Sequence, residues 1–444
     1  MIFLILSSWC ESNFAPLLLA WVSVDCCQPS SQSSVIVILS YARIRLSLDG
    51  ILRLPYYTTG KRGITLYLFM ALVRRIGSSL LSRKEYSRFL DNRKWLEGAL
   101  EGFSIENVLG ISQLSSRPSV LMYGSCVSGT AFSNADADYA VLFLTQGNTE
   151  ESSMANMLNY THSKFIEVKR EHHQKVLLSI LEHIRVSFCS TVVKCEQIYS
   201  ARVPFIRLFK SGSNNTEGSH LDVSLSFDGP RNSLLLRLYM EGDPRLRCGV
   251  LCAKKWCRSQ GILDARRGWI SAYALTVMYI FYMQVTKRTA RIIDESEVNN
   301  ILYCMSKQML EGVNECFPFV GDVCSGSDVD IQNVLSDLHG FFHFFGGSMC
   351  FDFDTDVVDI RKNDKLVSKE SWLEGINHFD EKTRWNLLGY ETIMIRDPYE
   401  DHNLGRSVDF FRGERIREVF RLASETKIED VLNELAKQGR LSSV

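Results

Sequence analysis

Three carboxylates carry the chemistry that this sequence can perform. Asp136 and Asp138 stand two apart in ADADYAVLFL (135–144), a run that begins alternating and ends wholly apolar, as a strand does when both faces become buried. Two apart on a strand means one shared face. Asp222 lies in HLDVSLSF (220–227), where His220, Asp222, Ser224 and Ser226 alternate with Leu221, Val223, Leu225 and Phe227. It therefore also sits on the polar face of a strand, with core-like residues behind it. Three acids converging from adjacent strands make a hard oxygen-ligand site suited to Mg²⁺ or Mn²⁺. Two such ions about 3.5–4 Å apart activate an attacking oxygen and stabilise a leaving pyrophosphate. Upstream, the apolar run VLMY (120–123) ends in Gly124-Ser125. A glycine there lets backbone N–H groups approach a phosphate, and the serine adds a hydroxyl donor. A D-x-D pair or a Gly-Ser turn alone usually marks a solvated loop. The ordered set, from strand and Gly-Ser to D-x-D and a later strand bearing Asp, is far more specific.

The elements that must position these residues follow from apolar spacing. Residues 86–108 read as helix (Phe89, Leu90, Trp95, Leu96, Leu100), and residues 150–188 as a long helical stretch in which His172-His173 takes an exposed polar face. STVVKCEQIYS and VPFIRLFKSG read as two strands, and GSNNTEGS (212–219) as a turn or loop. From 232 onward the pattern is mainly helical, with a β-like island over 348–362. The expected class is α+β: a mixed sheet with helices over 85–229, carrying an insertion near 145–219, then a mostly helical domain over 230–444. The boundary falls near Gly229-Pro230, with the active site in the cleft between the domains.

Composition narrows the function. Hydrophobic residues at 45% and charged residues at 23% describe a soluble globular chain, long enough at 444 residues for two or three domains. With 50 basic and 51 acidic residues there is no global polyanion-binding field, so any RNA must be held by a local patch. Thirteen cysteines without a CxxC pair read as buried small hydrophobes in a reducing compartment, not as disulfides or a zinc site. Residues 1–69 contain apolar runs, none reaching the roughly 18–20 residues of a membrane span. The segment after Met70, ALVRRIGSSLLSRK, has arginines, serines and no acid, as a mitochondrial presequence does. The expectation is a non-globular segment over 1–84, translation starting at Met70, and residence in the mitochondrial matrix.

GSCVSGTAFSNADADYAVLF with HLDVSLS behind it resembles the nucleotidyltransferase signature of the DNA polymerase beta superfamily. The downstream half is similar to terminal uridylyltransferases (TUTases) and non-standard poly(A) polymerases, above all the small mitochondrial TUTases of trypanosomatids. The resemblance runs from about residue 85 to about residue 425. It implies that Asp136, Asp138 and Asp222 hold two Mg²⁺ (or Mn²⁺) ions, with Asp222 beside the 3′-hydroxyl of the RNA. Gly124 and Ser125 match the phosphate-contacting turn, and Asn232-Ser233 the pair that touches ribose and triphosphate. In AKKWCRSQGI, Lys254 and Arg258 fit the K-x-W-x-K helix that holds the triphosphate. Arg258 keeps the charge of the family's second lysine but changes its geometry. WISAYALTVM resembles the S-S-Y-A-L segment, so Tyr273 is expected to stack on the base, while Ala272 replaces a serine. FHFFGGSMCFDFDTDVVDIRK looks like part of a PAP-associated domain, and IRDPYEDHNLGR like its I-x-D-P box.

That box bears on base choice. The resemblance makes Asp397 and Glu400 the carboxylates that select uracil through a bound water. Uracil N3–H is a donor whereas cytosine N3 is an acceptor, so an accepting carboxylate favours uracil. The implied activity is template-independent transfer of UMP from UTP to an RNA 3′ end, with protein partners delivering the RNA and no membrane involved. Two alternatives stay open. One is a mitochondrial poly(A) polymerase, since adenylating relatives often carry a histidine near this box and His402 lies two residues beyond Glu400. The other is a catalytically idle scaffold subunit.

Overall fold

The protein, seen here as a computed structural model, is described for Gly77 and residues 79–431, apart from 112–115, 134, 146–156, 162–163, 188–191, 211–219, 290–292, 313–318, 320–330, 348–349, 363–365 and 428–429. The readings of residues 1–76 and of the 212–219 loop lie outside the described residues.

Helix α1 (Arg83–Ala99) opens with a capping box, three residues before the start read from apolar spacing. Ser82 Oγ accepts from the Glu85 N–H at 3.2 Å, and Glu85 Oε2 accepts from the Ser82 N–H at 2.8 Å. Its buried residues, Tyr86, Phe89 and Leu96, pack on one face of a mixed sheet. The strands are β1 (Ser116–Tyr123), β2 (Ala137–Thr145), β3 (Leu158–Tyr160), β4 (Phe165–Val168), β5 (Val192–Ile198), β6 (Phe205–Lys210) and β7 (His220–Ser224). Their order is β3-β4-β2-β7-β6-β5, with β1 also pairing β2. Only β2 and β7 run parallel; the other pairings are antiparallel.

The 150–188 stretch departs from its helical reading. It contains β3 and β4 before helix α2 (His173–Ser187) begins. The charged, β-branched run FIEV pairs with β2 through Phe143–Ile166 and Leu144–Phe165, and tertiary pairing overrides the local helical pattern. His173 is likewise buried, with Nε2 2.8 Å from the Val168 carbonyl oxygen, against the exposed reading.

Strand alternation divides the interior in two. Ala137, Tyr139, Val141 and Phe143 of β2 join Leu221 and Val223 of β7 in the core beneath α1 and α2. Ala140, Leu142 and Leu144 enter a second core with the helices that follow the sheet. Those helices are α3 (Asp228–Gly242), α4 (Pro244–Ser259), α5 (Ala272–Val285), α6 (Glu295–Leu310), α7 (Ile331–Gly346) and α8 (Phe410–Glu425). Asp138 shares the parity of Ala140, so it belongs to the face that the helices cover.

Helix α3 begins at Asp228, immediately before the Gly229-Pro230 step. The β-like island at 348–362 holds one two-residue strand, Asp356–Val357, paired with Val367–Ser368. Its alternating Phe351 and Phe353 are spent on an aromatic cluster instead, 5.0 and 5.8 Å from the Phe345 ring. Cys248, Cys252 and Cys257 form no disulfide and are buried in α4. Among the described residues, no helix is long and apolar enough to cross a membrane.

Candidate active site

Register builds the acid cluster. The parallel pairing of β2 with β7 sets Asp138 level with Asp222, and the antiparallel pairing of β6 with β7 sets Arg207 level with Asp222. Asp136 stands just before β2 begins. Carboxylate oxygens of Asp136 and Asp222 and a ring nitrogen of His220 all lie within 4.8 Å of one another, so that a divalent cation could take all three. Cations of the chain itself surround the acids. Arg207 Nε and Nη2 donate to Asp222 Oδ1 and Oδ2 at 2.7 Å each, a fork-to-fork pair. Arg266 Nη2, from a 3₁₀ turn between α4 and α5, stands 3.6 Å from Asp136 Oδ2.

Asp138 is placed differently from its two partners. A Cβ built on Gly124 would fall 2.4 Å from Asp138 Oδ2, and Gly124 has φ +84°, so only glycine fits this turn. The Gly124-Ser125 turn and the D-x-D strand are thus in contact. Burial and then the charges of Asp222 and Asp136 push the Asp138 carboxyl up to about 8. Such a cluster holds more negative charge than its own cations neutralise, and a bound cation would relieve it.

The turn is fastened to the helical domain. The Gly124 N–H donates to Ser233 Oγ at 2.7 Å, and Ser233 Oγ donates to the Gly229 carbonyl at 2.7 Å. Arg247 Nε donates to the Gly129 carbonyl at 2.6 Å, and Lys254 Nζ to Thr130 Oγ1 at 2.7 Å. Burial, aided by Arg258, lowers the Lys254 ammonium to about 7. Arg258 is exposed, with its guanidinium 5.2 Å from the centre of the Phe132 ring. Both basic residues of the K-x-W-x-R helix therefore border the 124–132 segment.

The other end of the site is the I-x-D-P box. Asp397 is buried, and its Oδ1 accepts from the N–H groups of Tyr399 (2.9 Å) and Glu400 (3.1 Å), closing the loop. Asn232 Nδ2 lies 3.5 Å from Asp397 Oδ2. Glu400 pairs with Arg202, from the segment between β5 and β6, and its Oε2 is 3.2 Å from His402 Nδ1. Burial works to raise the Glu400 carboxyl, but contacts with His402 and Asp228 and the charge of Arg202 outweigh it and hold it low. Tyr273, in the first turn of α5, is half-buried with its hydroxyl unpartnered.

Of the residues singled out in the sequence, Gly124, Asp136, Asp138, Asp222, Lys254 and Arg258 gather about the first end, Asp397 and Glu400 form the second, and Asn232-Ser233 bridges the two. His220, Arg207, Arg266 and Arg202 were not singled out. The alternation of HLDVSLSF already put His220 on the Asp222 face, whereas the arginines needed a strand register and a domain contact that no local pattern carries.

Residues 104–241 match the family model of the central palm domain of mitochondrial-like poly(A) RNA polymerase, and residues 336–403 that of the Cid1 family poly A polymerases. These matches make the chain similar to nucleotidyltransferases of the Cid1 and GLD2 type. Among similar proteins, the poly(A) RNA polymerase GLD2-B of Xenopus laevis is 23% identical over 300 residues, 67% of this chain and 50% of that protein. Terminal uridylyltransferase 3 of Trypanosoma brucei brucei is 39% identical over 214 residues, 45% of this chain and 23% of that one. The chain spans about half the length of the GLD2 relatives it matches. The solved structure of terminal uridylyl transferase 4 from Trypanosoma brucei with bound GTP superposes with a TM-score of 0.57 at 19% identity, covering 84% of this chain and 99% of that one. The fold is accordingly a palm-type mixed sheet followed by a PAP-associated domain.

Proposed function

We propose that the protein transfers UMP from UTP to the 3′-hydroxyl of RNA without a template, in mitochondrial RNA editing or processing, in a role like that of the minor editosome-associated TUTase of trypanosomatids. One observation carries the reading. Two neighbouring residues of α3 join the ends of the site: Ser233 binds the phosphate-type turn at Gly124, while Asn232 reaches Asp397 of the base-side box. A nucleoside triphosphate laid along this helix would have its phosphates at the acid cluster and its base at Asp397 and Glu400.

The residue types fit two Mg²⁺ or Mn²⁺ ions, because the carboxylate excess around Asp138 calls for cations. Bound there, such ions would activate the attacking oxygen and stabilise the departing pyrophosphate. The chain's own side chains align and neutralise. Gly124 and Ser125 present the turn to phosphate, and Lys254 and Arg258 add positive charge behind it. Lys254 stands near its half-protonation point at neutral pH, so an arriving triphosphate would draw a proton onto it. Tyr273 stacks on the base, and Asp397 with Glu400 holds a water that accepts from uracil N3–H. No template is needed, since the protein reads the base.

Matrix localisation rests on the presequence-like composition after Met70. Partner proteins would bring the RNA, because the chain has no basic excess of its own. Poly(A) addition is the second reading, favoured by His402 beside Glu400 and by the GLD2 relatives. The test is to incubate purified protein with a labelled RNA and each NTP alone. Extension with UTP above ATP and CTP is expected. Preference for ATP selects the poly(A) reading, and no extension with any NTP selects a scaffold.

A further inference from the structure

His220 touches the acid cluster, yet the function proposed above gives it no role. It opens β7, opposite Phe209 of β6, with the two rings 5.7 Å apart. Its side chain is mostly buried, and its Nε2 is shut off from solvent without a hydrogen-bond partner. That nitrogen lies 3.4 Å from Asp136 Oδ1 and 3.6 Å from Asp222 Oδ1. Both separations exceed the usual range of an N–H···O bond, about 2.7–3.2 Å. They match two ligands sharing one ion. With bonds of about 2.1 Å, neighbouring ligands stand about 3.0 Å apart in an octahedron and about 3.4 Å apart in a tetrahedron.

Resting on the reading of this cluster as the metal site, we propose that His220 is itself a metal ligand, forming an Asp136–His220–Asp222 set that favours Mn²⁺ over Mg²⁺. The donor chemistry gives the preference. All-oxygen sites suit Mg²⁺, whereas an imidazole nitrogen is a poor ligand for Mg²⁺ and a good one for transition-metal ions. Asp222 can serve the ion while paired with Arg207, because each carboxylate oxygen has two lone pairs and Arg207 Nε takes one of those on Oδ1. Asp138, turned toward Gly124, leaves the histidine among the three ligand atoms that already converge.

The experiment loads the full chain with Mn²⁺ alone and reads the ion by pulsed electron paramagnetic resonance. The expected result is a ¹⁴N coupling from a directly bound imidazole, lost in His220→Gln. Mn²⁺ affinity should fall at least about ten-fold in that variant, the lower end of what metal-site substitutions cost, with a smaller change for Mg²⁺. The wild-type spectrum alone decides the matter if the variant folds poorly. Bound Mn²⁺ without nitrogen coupling overturns the assignment and leaves the uridylyltransferase reading standing. A coupling that survives His220→Gln also overturns it, as does failure to bind Mn²⁺. Nitrogen-coupled Mn²⁺ in a protein that extends no RNA would sink the function and keep the ligand.

Discussion

The two ends of the site are both acidic, yet they handle charge in opposite ways. Around Asp136, Asp138 and Asp222 the backbone ladders of β2 and β7 fix the carboxylates side by side, and burial, with their repulsion added, raises Asp138 to about 8. Around Asp397 and Glu400 the acids sit on a loop, and Arg202, His402 and Arg231 crowd the second carboxylate and hold it ionised. The strand end has a surplus of negative charge that a cation relieves. At the loop end Glu400 stays ionised while its neighbour Asp228 is pushed up to about 7 by burial and contact with Glu400, so Glu400 serves best as a hydrogen-bond acceptor. Rigid register concentrates charge, while a loop ringed by basic side chains offsets it.

The largest effect should come from the strand end. Asp138→Asn is expected to lower nucleotide addition at least about a hundred-fold, by the measure of other lost charge-stabilising groups, with circular dichroism unchanged. A variant keeping a tenth of wild-type activity would remove the contrast, because the surplus charge would then have no catalytic use. Glu400→Ala probes the loop end. It should cost about 1.5–3 kcal/mol, roughly ten- to a hundred-fold, in kcat/KM for UTP, and much less for CTP. Equal losses for the two nucleotides in steady-state assays would make this box a support for the fold. Between the ends, Tyr273→Ala should raise the KM for UTP more than it lowers kcat, by about 1–3 kcal/mol. An unchanged KM with a large fall in melting temperature would identify Tyr273 as core.

The smallest effect concerns stability without metal. A carboxyl raised in the folded state opposes folding once it ionises. The Asp138 penalty is thus absent below its ordinary value near 4 and complete above about 8. Asp138→Asn in chelator should melt like the wild type at pH 4–5. By pH 9 it should melt several degrees higher, because the cost of ionising the buried carboxyl is then complete. A gain of equal size at both pH values would show that packing against Gly124, not charge, sets the cost.

Alternation made the strand end legible. ADADYAVLFL and HLDVSLSF each give two faces, and the faces found are the ones read, down to the core under Tyr139 and Leu221. The short strands β3 and β4 were not legible, since three or four residues cannot establish a period against a charged helical stretch. At the loop end the acids could be named from a motif, but their charge balance could not. Arg202 and Glu400 are 198 residues apart and meet only when the helical domain docks on the sheet.

The parallel β2–β7 pairing also acts as a checkpoint in assembly. Its partners are about 84 residues apart in sequence (Ala137 with Leu221), so the pairing forms late and against a substantial loop-closure cost. A slip of one residue would turn Asp222 into the apolar layer and bring Leu221 or Val223 to the acids. Only the correct register presents the ligand set, so divalent ions stabilise that register by mass action. For this chain the ion would then be a selector of the native sheet before it is ever a reagent.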